Sequence, residues 1–159
     1  LFKVHRYFLK RDSEVFRDMF ACPSEYAGEE GRSEETAISL PGVTVRELDC
    51  LLSFLYDGMY ERTVTLDNWV ELLSISSRFL FEKIRERAIK EITQHVPPLD
   101  PIARVHLAMK HDVPQWLTPA YAEFCVRPTP LTDEEAERLG LPTVVRLARM
   151  REEFLRMRF

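Results

Sequence analysis

Four histidines (His5, His95, His106 and His111) and three cysteines (Cys22, Cys50 and Cys125) are the side chains of this 159-residue chain best suited to ligate a metal or attack a substrate. Their spacing favours neither. His106 and His111 are five residues apart, which takes them off a common helical face and excludes an i,i+4 metal pair. The cysteines form no CxxC and keep no Cys/His ligand spacing, so they read as free thiols of a reducing compartment. Cys125 and His111 could meet in space, but nothing in the sequence brings them together. There is no HExxH, GxSxG or Walker-type loop, and five glycines in all leave no Gly-rich phosphate cradle. No catalytic residue, metal or cofactor is expected. His5 reads as a hydrogen-bonding residue at the start of a helix.

The elements that hold these residues are mostly helical. Thr44-Val45-Arg46-Glu47 and Thr132-Asp133-Glu134-Glu135 are capping boxes, in which a Thr hydroxyl takes the N3 amide proton and the Glu reaches back to the cap amide. Asn68-Trp69-Val70-Glu71 is a looser version. Leu48, Leu51, Leu52 and Leu55 share one helical face, and Trp69, Leu72, Leu73, Ser76 and Phe79 share another. Asp100-Pro101 and Thr118-Pro119 place a cap residue before a proline and predict two further helix starts. Gly140 falls where one helix ends, before another running through Val144, Leu147, Ala148 and Phe154. Strands are expected at Leu1–Val4, Ala37–Leu40 and Thr63–Leu66, the second closed by Pro41-Gly42. Residues 23–35 hold five Glu against one Arg and predict a solvated acidic loop. Three prolines in Val96-Pro97-Pro98-Leu99-Asp100-Pro101 mark a boundary between 1–96 and 97–159.

Composition limits the function classes. With 45% hydrophobic residues the chain can bury a core without disulfides or a metal. A net charge of −4 argues against a general polyanion binder, and no apolar run approaches the roughly 20 residues of a membrane span. Residues 141–159 carry five Arg and two Glu, and Thr132–Arg149 is similar to a helix-turn-helix through Ala136 and Gly140. That motif needs apolar residues where Arg146 and Arg149 stand, and burying two unpaired guanidinium groups is very costly. The opening Leu-Phe-Lys-Val-His-Arg is neither a signal peptide nor a natural start, so an upstream segment is expected to be missing.

The order of these segments resembles one family. Phe2-Lys3-Val4-His5-Arg6, followed by Leu9, Ser13, Phe16 and Met19-Phe20, resembles the strand and helical hairpin that open the BTB/POZ domain. Ile38-x-Leu40 and Leu51-Leu52-x-Phe54-Leu55-Tyr56-x-Gly58 are similar to its middle strand and third helix. Leu72-Leu73 through Phe79-Leu80-Phe81-Glu82-Lys83-Ile84-Arg85 is similar to its last helical pair. The rest, through Trp116-Leu117-x-Pro119-Ala120-Tyr121 and Leu131-Thr132-x-Glu134-Glu135, resembles the helical extension of fungal BTB proteins.

The resemblance implies an α+β, predominantly helical BTB/POZ fold: a small three-stranded sheet capped by helical hairpins in 1–96, with an all-helical extension in 97–159. Phe16, Met19, Phe20, Leu48, Leu52, Leu55, Leu73, Phe79 and Ile84 are its expected core. It implies a non-catalytic, intracellular (cytoplasmic or nuclear) protein–protein interaction module, a homodimerising scaffold built on Phe2, Val4, Arg6, Tyr7 and Phe8, with Arg6, Lys10 and Arg11 flanking the apolar patch as its rim. A second implication is an adaptor docking onto a cullin-3 scaffold of a ubiquitin ligase through Tyr56, Met59, Tyr60 and Glu61. A transcription-linked regulator with weak nucleic-acid contact is a third. The family's first strand precedes Phe2 and carries an Asp that pairs with the residue matching Arg6. That strand is absent from this sequence, so Arg6 is expected to lack its partner. Trp116, Leu117 and Tyr121 are expected to pack helix on helix.

Overall fold

The computed structural model describes residues 1–22, 30–57 and 64–157. The chain divides into two compact units, Leu1–Ile92 and Thr93–Phe159.

In the first unit, α1 (Arg6–Asp12) and α2 (Glu14–Ala21) form a helical hairpin turned at Ser13. Ser13 is completely buried. Its hydroxyl accepts from the Phe16 amide at 3.1 Å and donates to the Phe79 carbonyl at 2.5 Å. One side chain therefore caps α2 and fixes it to the end of a distant helix. Helix α3 (Val45–Asp57) packs on α4 (Leu66–Arg78), and α5 (Glu82–Gln94) follows, with the division between the units in its last turn.

The expected box at Thr44 forms: its amide donates to Glu47 at 2.7 Å and its hydroxyl accepts from the Glu47 amide at 3.1 Å. Glu47 is itself buried, and its second oxygen accepts from the Ser74 hydroxyl of α4 at 2.5 Å. A helix cap thus doubles as a tie between α3 and α4. Beside it, Gly42 holds φ at +73°, and the Arg78 guanidinium lies 2.7 Å from where a Cβ would stand. The Pro41-Gly42 turn accordingly needs glycine for its backbone, while a Cβ there would only move the end of the flexible Arg78 side chain.

Phe16, Leu55, Leu73, Phe79 and Ile84 are buried as expected, while Met19, Phe20, Leu48 and Leu52 are only half-buried. Leu51 and Phe81, both wholly buried, lie deeper than these.

Four expectations are corrected here. No strand is present among the described residues, so Leu1–Val4 and Ala37–Leu40 do not pair. A segment of four residues becomes a strand only when neighbouring main chain supplies ladder partners. The third expected strand overlaps α4, because Thr65 accepts from the Asn68 amide at 3.3 Å and starts the helix at Leu66. That same bond replaces Asn68 as the cap. Finally, the helix expected at Pro119 begins at Leu117, since a 3-10 turn over Pro114–Trp116 feeds directly into it. Pro119 then sits in the first turn, where its missing amide proton costs nothing.

The second unit comprises α6 (Pro101–Lys110), α7 (Leu117–Val126), α8 (Asp133–Leu139) and α9 (Leu141–Met157). Asp100 caps α6, accepting from the Ala103 amide at 3.1 Å. Ile102, Val105, Ala120, Phe124, Leu139 and Leu147 form the core, with Leu117 and Tyr121 packed against it. Trp116 is buried and donates from Nε1 to Thr93 Oγ1 at 2.8 Å. Gly140 ends α8 with φ +76°, as its position predicts. Arg146 and Arg149 are exposed, and Thr143 and Leu147 are what α9 buries.

The Thr132 capping box forms, and its Glu135 also takes a fork of two hydrogen bonds from Arg127, at 2.8 and 2.5 Å. The Arg127 bond, then the Thr132 amide, hold the Glu135 carboxyl at a pKa of about 2. A folded value below the ordinary 4.5 means its stabilisation is complete above pH 4.5 and is lost as pH falls toward 2. Glu135→Gln is expected to cost about 1 kcal/mol at pH 7, with the gap to the parent closing between those two values in thermal melts. A gap constant with pH contradicts this.

Candidate functional site

No group of three His, Cys, Asp or Glu side chains among the described residues is placed to hold a metal. The cysteines are free: Cys22 exposed, Cys50 half-buried, Cys125 buried. Burial, with the neighbouring Glu71 and Asp49 carboxylates, pushes the Cys50 thiol up, away from the thiolate that nucleophilic chemistry requires. None of the described helices is long and apolar enough to cross a membrane.

What the first unit does present is an aromatic surface on α1. His5 stands at the N-terminal end of α1, where its own side chain caps nothing. Its main-chain amide donates instead to the Tyr56 hydroxyl at 2.7 Å, and its Nδ1 lies 2.8 Å from the same oxygen. A hydroxyl carries one proton and two lone pairs, so the one Tyr56 oxygen serves both the His5 amide and its ring nitrogen. The C-terminal turn of α3 therefore supplies the cap that α1 lacks.

The rings follow this anchor. Phe8 packs on Tyr56 at a centroid separation of 4.8 Å, His5 meets Tyr56 at 5.8 Å, and Tyr7 stands edge-on to Phe8 at 5.6 Å. The Arg11 guanidinium lies over Tyr7 at 5.8 Å and over Phe8 at 5.4 Å. A paired hydrogen bond to Asp12 raises the Arg11 pKa still further, so the charge over the rings is permanent. Yet the surface is not covered. Tyr7 is 67% exposed, Tyr56 42% and Phe2 37%.

Of the expected interface residues, Phe2 and Tyr7 are exposed, and Val4 and Phe8 are half-buried. Arg6, expected to lack the family's Asp, donates to the Glu30 carbonyl and lies over the Phe20 ring at 4.9 Å. Its charge is thereby held by groups of its own unit. Tyr56, expected at a cullin contact, joins the α1 aromatic cluster. Met59, Tyr60 and Glu61 lie outside the described residues.

The sequence already sets Arg11 at the rim of this patch, and its spacing of four from Tyr7 and three from Phe8 places the guanidinium over both rings on one helix face. Sequence reasoning missed the His5–Tyr56 link, which had no signal because it joins residues 51 positions apart.

An exposed aromatic patch beside a fixed cation, on a helix anchored by Leu9 and by the Tyr56 hydroxyl, has the composition of a protein contact surface. No curated protein and no solved structure matches the chain. One family model does: the BTB/POZ domain, over residues 1–96. With its helical core, its α1–α2 hairpin and this match spanning most of its length, the chain belongs to the BTB/POZ domain family, a family of protein–protein interaction modules.

Proposed function

We propose that this chain is a non-catalytic scaffold that self-associates through the exposed face of α1. The observation that carries the reading is Tyr7, whose ring stands 67% exposed on a rigid base of Phe8, Tyr56 and Arg11. A large ring held by its neighbours loses little entropy when a partner covers it, the property of an interface anchor. Phe2 adds exposed apolar area to the same unit. In this reading residues 1–96 are the associating domain and 97–159 a helical extension. Residues 1–4 and 37–40, irregular in this chain, are the segments we assign to the family's small sheet once a partner strand pairs with them.

Sedimentation over a range of concentrations tests the proposal. The parent chain is expected to form a dimer, and Tyr7→Glu to weaken it at least tenfold, about 1.4 kcal/mol or more, with unchanged helical circular dichroism. A parent that stays monomeric throughout, or a Tyr7→Glu dimer as tight as the parent's, overturns it.

Docking onto a cullin-3 scaffold is the second reading, favoured by the exposure of Tyr56 at the C-terminal end of α3, three residues before Met59. Calorimetric titration with a cullin-3 N-terminal domain separates the two. Binding that is lost in Glu61→Lys identifies an adaptor; no heat leaves the scaffold.

A further inference from the structure

The second unit contains a groove whose lining runs against the acidic balance of the chain. Val105, His106, Met109 and Lys110 on one face of α6, with Arg138 and Leu139 at the end of α8, enclose a cavity of about 310 Å3. Val105 and Leu139 are buried and make an apolar floor, and Met109, 61% exposed, makes a wall. The rim is basic. None of the six lining residues is acidic, in a chain carrying 26 Asp and Glu against 22 Lys and Arg.

Three arginines of the unit are already engaged, while Arg146, Arg149 and Arg156 lie on α9 outside the groove lining. Arg104 pairs with Glu123 at 2.7 Å, Arg127 with Glu135, and Arg151 donates to the carbonyls of Arg127, Pro128 and Thr129. Lys110 and Arg138 make no ion pair among the described residues. The carboxylate whose field Arg138 shares, Glu135, is the one that Arg127 holds.

We propose that this groove docks an acidic peptide segment of a protein partner. An apolar side chain of that segment sits on Val105 and Leu139 against the Met109 thioether, and flanking carboxylates meet Lys110 and Arg138. Two features select this occupant. A floor of two aliphatic side chains takes one apolar side chain, and the thioether adapts to its shape. The cationic rim complements carboxylates and raises the encounter rate with a negatively charged segment. This site is separate from the α1 surface and does not depend on self-association.

The test uses the whole chain labelled with 13C at its methionine methyls, with the Met109 signal identified by Met109→Leu. One probe is the peptide acetyl-Glu-Asp-Leu-Phe-Glu-Asp-amide; the other is the same peptide with Gln and Asn in place of Glu and Asp. The acidic peptide is expected to shift the Met109 methyl saturably, and the neutral one to bind about tenfold more weakly. The Lys110→Glu/Arg138→Glu variant is expected to lose about tenfold for the acidic peptide. Both side chains are exposed, so its circular dichroism should match the parent's. Should the double reversal disturb the fold, Lys110→Gln/Arg138→Gln reads the same loss at smaller size. The proposal is overturned by an unmoved Met109 methyl at peptide concentrations up to about 1 mM, by equal affinity for the two peptides, or by undiminished binding to the folded variant.

Discussion

Phe16→Ala is expected to lower the unfolding free energy by about 3–5 kcal/mol, the range for removing a buried phenylalanine. Phe16 is 3% exposed and stacks on Phe79 at 4.9 Å, with Phe20 at 5.8 Å and Phe81 at 5.9 Å. Three rings lose their common neighbour when it is truncated. The backbone around it cannot collapse easily, because Ser13, three residues earlier, bonds both the Phe16 amide and the Phe79 carbonyl. A cavity therefore remains, and its cost adds to the lost transfer energy. Phe16→Leu keeps most of the volume and should cost about 1–1.5 kcal/mol. Urea unfolding followed by circular dichroism checks both. A loss below about 1 kcal/mol for the alanine variant would show that the aromatic cluster is not what holds α2.

The second large effect concerns Glu47. Burial pushes its carboxyl up, but the hydrogen bonds from Ser74 and Thr44, with the Arg78 charge, outweigh burial and hold it below the ordinary 4.5. The carboxylate is thus a charged acceptor shared by a helix cap and a helix–helix tie. Glu47→Ala removes the cap partner and leaves the Ser74 hydroxyl without its acceptor, for an expected loss of about 2–3 kcal/mol at pH 7. The sign of the pH dependence follows. A depressed folded pKa contributes stability that is complete above 4.5 and is lost as pH falls through the folded value. The parent should weaken over that acid range while Glu47→Ala changes less. A variant that tracks the parent at a constant offset through the acid range would assign the loss to packing and not to the charge.

These two residues differ in how far they can be read from sequence. Glu47 announces itself through Thr44, because a capping box is complete within four residues and depends on nothing else. The same holds for Thr132 with Glu135, for Asp100 before Pro101, and for Gly140 as a helix end. The buried face of α3 is also legible, since leucines recurring at helical spacing have one apolar side to hide. The α1 surface is legible only in part. Tyr7, Phe8 and Arg11 share a local spacing, whereas the partners of Arg6, the Phe20 ring and the Glu30 carbonyl, come from outside α1 and had no sequence signal.

Two helix ends show the limit most clearly. Two residues past the ends of α4 and α6 stand Leu80 and Asp112, non-glycine residues held at φ +52° and +51°. In each case the next residue donates its amide back across the last turn, Phe81 to Ser76 at 3.0 Å and Val113 to Ala108 at 2.8 Å. Left-handed backbone at such residues costs about 1–2 kcal/mol and is disfavoured in isolation. It persists here because Phe81 and Val113, both wholly inaccessible, are buried by the turn it makes.

The sequence by itself determined the helices, most of their caps, the apolar faces and the family, since each depends on contacts within a turn or two of chain. Tertiary structure decided the rest. It turned Arg6 toward Phe20, made Glu47 a tie to Ser74, brought Tyr56 under His5, and left the segments expected as strands without ladder partners among the described residues. Those outcomes depend on which distant groups come within hydrogen-bond or ring-stacking distance, and only the folded chain sets those distances.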